Sequence, residues 1–75
     1  MNIYKIYDNG GKTVDRYTIL TSPTECLGLS DYPTHPQYGI SQWGDCVDGD
    51  HLGKKIKLDN LPNNVQEHII KRLNI

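Results

Sequence analysis

The chain lacks the features that announce most functional classes. No apolar run approaches the roughly 20 residues that a membrane helix needs, so contact with a membrane is not expected. The N-terminus lacks a basic start followed by an apolar stretch, which argues against a secretory signal. A reducing, cytoplasmic setting is therefore expected. Cysteine is scarce, with Cys26 and Cys46 the two present. Their spacing matches no zinc motif, and a reducing compartment disfavours a disulfide. Both are expected to be small, half-buried packing residues.

Positive charge is missing from the middle. Between Tyr17 and Gly53 there is no Lys or Arg, whereas Glu25, Asp31, Asp45, Asp48 and Asp50 give that stretch a balance of −5. All eight basic residues lie towards the two ends, and the formal net charge is −1. A nucleic-acid binder concentrates Lys and Arg on one face, and this middle would repel phosphate. The alternative of a nucleic-acid-binding accessory protein rests on Arg16, Lys54, Lys55 and Lys57, with Lys71 and Arg72 beside them.

Catalytic signatures are also lacking. Gly10-Gly11-Lys12-Thr13 echoes the end of a phosphate-binding loop, but the earlier glycine and the strand-to-helix context are absent. The run Asp45-Cys46-Val47-Asp48-Gly49-Asp50-His51 resembles a calcium loop only superficially, because counting from Asp45 puts Val47 at loop position 3 and Ile56 at position 12, where oxygen ligands belong. It reads as a turn. His35, Cys46, Asp50 and His51 are ligand types suited to zinc, yet no spacing brings them together. A metal-stabilised domain is the weaker alternative. Cys26 or Cys46 acting with a histidine would need a partnered base, which no pattern supplies. The expectation is a protein that is not an enzyme and carries no metal or other cofactor.

What is present suits one small domain spanning residues 1–75. Eighteen Ile, Leu and Val residues with five Tyr and one Trp suffice for a core. Residues 2–8 read as a strand, Asp8-Asn9-Gly10-Gly11 as a tight turn, and residues 13–21 as the returning strand. Apolar residues stand on both faces of this hairpin, which predicts cover on both sides. Residues 25–29 form a candidate third strand. Residues 30–53, punctuated by Pro and Gly but holding Tyr32, Tyr38 and Trp43, read as one long ordered loop anchored on the sheet by Trp43. Residues 54–58 read as a strand. A helix follows, with Asn60 as N-cap and Pro62 in its first turn. Val65, Ile69 and Leu73 repeat along one face of it. The fold class is α+β: a small antiparallel sheet, made of the N-terminal hairpin and a later strand, with one C-terminal helix and the long loop.

Three blocks carry a resemblance. They are Asp8-Asn9-Gly10-Gly11-Lys12-Thr13 with Asp15-Arg16-Tyr17-Thr18, then His35-Pro36-Gln37, then His51-Leu52-Gly53-Lys54-Lys55-Ile56 with Leu61-Pro62 and Val65-Gln66. Together they resemble a family of small uncharacterised bacteriophage and prophage proteins, over nearly the whole chain. In that group a Gly often follows the Pro-Gln pair directly, whereas here Tyr38 intervenes before Gly39. The resemblance implies a phage-type origin and action inside the bacterial host cell, and no mechanism. The functional expectation is an accessory protein that binds a host or phage protein. Inhibition of a bacterial defence system such as CRISPR is one form of that action. Aromatic anchors supply much of the energy of protein interfaces, so Tyr32, Tyr38 and Trp43 are the candidate contacts. Asp45, Asp48 and Asp50 are their acidic rim.

Overall fold

A computed structural model describes residues 2–75. Five short strands form one antiparallel sheet: β1 (Lys5–Asp8), β2 (Tyr17–Leu20), β3 (Glu25–Leu29), β4 (Ser41–Asp45) and β5 (Lys54–Ile56). Their spatial order is β4-β3-β2-β1-β5. The first four strands are a meander, and β5 returns to the far edge beside β1. One helix, α1 (Asn63–Leu73), completes the α+β domain.

Strand alternation sorts the side chains into two covered faces. Ile6, Tyr17, Ile19, Leu27 and Leu29 share one face with Val65, Ile69 and Leu73 of α1, and Leu61 joins them. Tyr7, Leu20 and Cys26 share the other, where Cys46 and Leu52 pack against them. That second cover comes from topology. To pass from β4 at one edge to β5 at the other, residues 46–53 must cross the sheet. They do so over the face opposite α1, turning through a 3-10 turn at Asp50–Leu52.

Several expectations are corrected. The predicted strands 2–8 and 13–21 shorten to four residues each. The tight turn between them is a wider loop. Gly10 and Gly11 do take positive φ, of 75° and 87°. The Asn9 side chain caps the loop, its Oδ1 accepting the N–H of Gly11 and Lys12. The span 30–53 is not one loop but an irregular segment, an edge strand and the crossover. Trp43 accordingly lies in β4 rather than anchoring a loop. Ile3, which strict alternation through residues 2–8 would place on the face of Tyr7, packs instead against the cluster beneath α1, because regular strand begins only at Lys5. β5 ends at Ile56, since Leu58–Asn60 forms a 3-10 turn. Asn60 therefore does not cap α1. Its Oδ1 accepts the Lys57 N–H at 2.9 Å, and α1 starts at Asn63 with Pro62 as N-cap.

Candidate interaction site

The segment 30–40 is built from within. Ser30 is buried, and its Oγ accepts the Ile40 N–H at 2.9 Å while its own N–H donates to the Ile40 carbonyl. These bonds close the segment at its base. Inside it, Nδ1 of His35 accepts the N–H groups of Gln37 and Tyr38 at 3.1 and 3.0 Å. The His35 carbonyl accepts the N–H of Gly39. The chain doubles back so closely there that a β-carbon on Gly39 would lie 2.5 Å from the His35 carbonyl oxygen. The Tyr38 that separates Gly39 from the Pro-Gln pair is thereby pushed outward.

The result is a row of three rings. Tyr32 meets His35 edge to face at 5.9 Å between centroids, and His35 meets Tyr38 at 5.1 Å with a tilt of 31°. Tyr32 is 57% exposed and Tyr38 is 72% exposed. Opposite them stand Gly11, Lys12, Thr13 and Val14 of the β1–β2 loop, and the two walls bound a groove of about 450 Å³. Arg16 ties these walls together. It donates to Asp8 from Nε and Nη2 at 2.7 and 3.1 Å, and to Asp31 from Nη1 at 3.3 Å. The Arg16 guanidinium holds the Asp8 carboxyl below its ordinary value.

The other sequence candidates are distributed over the molecule. Trp43 stands on the α1 face of β4, with the Arg72 guanidinium 5.7 Å from its ring. Asp45 is exposed and sits directly opposite Glu25 in the ladder, a like-charge pairing that costs stability. Asp48 is not part of an acidic rim. On the second face its carboxylate accepts the Lys5 ammonium and the Tyr7 hydroxyl, at 2.7 and 2.6 Å. These bonds lower the Asp48 carboxyl from its usual range. Asp50 lies in the 3-10 turn of the crossover. Tyr32 and Tyr38 are thus brought together, while Trp43, Asp45, Asp48 and Asp50 are not part of their groove.

The basic candidates are also dispersed. Arg16 is engaged by two carboxylates. Lys54 and Lys55 are consecutive in β5 and point to opposite faces of the sheet. Lys57 lies beyond the strand end. Among the described residues, no three His, Cys, Asp or Glu side chains gather as a metal-holding group.

Sequence reasoning missed two arrangements. His35 was legible only as a possible ligand, yet it is the middle ring of the row. His68 on α1 shares a hydrogen bond of 2.7 Å between its Nε2 and Ser41 Oγ, which ties the helix to β4. Burial, and then Arg72 and Lys71, hold His68 below its ordinary value. The only sequence signal was its place beside Ile69, which did not reveal a partner 27 residues away. Compared with family models, curated proteins and solved structures, the chain shows no match.

Proposed function

We propose that this chain is a small protein-binding module whose contact surface is the groove between Tyr32, His35 and Tyr38 and the Gly11–Val14 loop. The observation that carries this reading is the exposure of both tyrosines on a segment that is internally fixed. Rings that only covered the sheet would lie against it. These stand away from it, already ordered, so a partner that packs on them meets a low ordering cost. Aromatic side chains held this way are the usual anchors of protein interfaces.

In the phage-type setting that the resemblance implies, the partner is a host or phage protein in the bacterial cytoplasm. Inhibition of a defence system such as CRISPR is the form of action this reading includes. The nucleic-acid alternative is less well supported, because Arg16 is paired internally and Lys54 and Lys55 diverge. Catalysis is not part of the proposal.

The test is partner capture from the bacterial host with the wild-type chain and with a Tyr32→Ala, Tyr38→Ala double variant. Both side chains are exposed, so the variant should keep its fold. A protein retained by the wild type and lost by the folded double variant supports the groove. Equal capture by both refutes it.

A further inference from the structure

The two edges of the sheet are differently protected. Natural edge strands are blunted by lysine, proline or shortness, because open N–H and C=O groups recruit other strands. At the β5 edge the strand is three residues long and carries Lys54 and Lys55, with Lys57 just after it. The β4 edge is Ser-Gln-Trp-Gly-Asp, five residues without lysine or proline.

The hydrogen-bond pattern says which groups of β4 are open. Ser30 donates to the Ile40 carbonyl, and Cys46 donates to the Thr24 carbonyl. Bonded positions alternate in an antiparallel ladder. Gln42 and Gly44 therefore face β3, whereas Ser41, Trp43 and Asp45 direct their N–H and C=O groups away from the sheet.

We infer that β4 of one copy pairs antiparallel with β4 of a second copy about a two-fold axis at Trp43, joining the two sheets into one. The open positions are self-complementary under this axis. Trp43 faces the second copy's Trp43, and Ser41 faces its Asp45. Each of these residues then donates one backbone bond and accepts one. Charge complementarity favours this occupant. Ser41, Trp43 and Asp45 lie on the face covered by α1, where Ser41 is bonded to His68 and Trp43 lies beneath Arg72. The axis sets Asp45 of each copy, which faces Glu25 in its own sheet, opposite the other copy's Ser41 and diagonal to its Trp43, the ring beside which Arg72 stands. The two tryptophans bury their exposed area against each other at the centre. Isologous contacts of this kind close on themselves and stop at the dimer.

The test is sedimentation equilibrium over a concentration series, with amide hydrogen exchange read at single residues. The expected result is a species of twice the 8.5 kDa chain mass that grows with concentration. Protection should appear in parallel at the Ser41, Trp43 and Asp45 amides and not at Lys55. Two variants separate pairing from folding. Trp43→Lys sets two like charges face to face on the axis and should weaken association at least about tenfold. Asp45→Arg removes the clash with Glu25, so its melting temperature should not fall, yet it turns a cation towards Arg72 of the second copy and should also weaken association. A chain that stays monomeric to about 1 mM, the affinity of a marginal contact, overturns the inference and leaves the edge to a strand from another protein. A dimer indifferent to Asp45→Arg, or one without protection at Trp43, overturns it as well.

Discussion

Ile69 and Ile70 are consecutive on α1 and have opposite surroundings, which makes them a matched pair for testing how the fold is held. Ile69 is 0% exposed, beneath the helix among Ile19, Leu27 and Leu29, whereas Ile70 is 40% exposed. Ile69→Ala deletes three buried carbons. At about 0.8 kcal/mol for each the transfer loss is about 2.4 kcal/mol, and the cavity left behind adds to it. The expected cost is about 2–5 kcal/mol. At about 0.05–0.15 kcal/mol per residue, a 75-residue chain holds only about 4–11 kcal/mol in all. Each kcal/mol moves the midpoint of so small a domain by about 4–8 °C, so Ile69→Ala should lower it by about 8–40 °C or leave the chain unfolded. Ile70→Ala loses little buried area and gains a few tenths of a kcal/mol in helix propensity, for a net change within about 0.5 kcal/mol. Denaturant titration followed by far-UV circular dichroism measures both. Equal losses for the two variants, or a cost below about 1 kcal/mol for Ile69→Ala, would refute the packing assigned to α1.

Cys26 and Cys46 are free thiols packed in one cluster, and burial, then the hydrogen bond with Cys46, pushes the Cys26 thiol up to about 12. Adding a thiol reductant should leave the melting temperature unchanged, and Cys26 should react slowly with a thiol-specific dye in the folded chain. Asp48→Ala should lower the melting temperature because it strands Lys5 and Tyr7, whereas Asp45→Asn should maintain or raise it by relieving Glu25. Changing both together with Asp50 would therefore confuse folding with binding. His68 in the native chain has a lowered pKa, so the unfolded chain takes up that proton at higher pH. This contribution to stability is complete above about pH 6.5 and is lost as the pH falls towards the lower native value. His68→Gln should flatten that part of the pH profile in denaturant titrations.

The parts of the fold that repeat were readable, and the parts set by topology were not. Val65, Ile69 and Leu73 announced the buried face of α1 through helical spacing, and the structure buries all three. Tyr17 and Ile19 announced one sheet face, and Leu20 the other, by alternation. β4 escaped because Ser41-Gln42-Trp43-Gly44-Asp45 has one apolar residue and lies open along its length. Nothing in a strand of that composition repeats, and only the register with β3 makes it a strand. The same holds for Asp48. Three carboxylates at nearly alternate positions looked equivalent, yet the crossover lays only Asp48 over Lys5 and Tyr7.

The charge asymmetry of the sequence acquires a spatial meaning from the strand order. The stretch without Lys or Arg begins at β2 and runs through β3 and β4 to the end of the crossover. It leads the sheet outward to its unprotected edge. The lysines resume at Lys54, where the chain reaches the other edge. Two sheet edges equally protected by charge would have needed lysine in both places. Here one edge is guarded, and the other offers a tryptophan, an open backbone and an aspartate whose nearest strand neighbour repels it. Another acidic residue of the segment, Asp31, is held by Arg16 at the base of the aromatic groove. The two surfaces therefore differ in chemistry: the groove offers ordered rings, and the edge offers hydrogen bonds and charge. Substitutions at Tyr32 and Tyr38 should leave self-association intact, and substitutions at Asp45 should leave the groove intact. Each contact can thus be removed without disturbing the other.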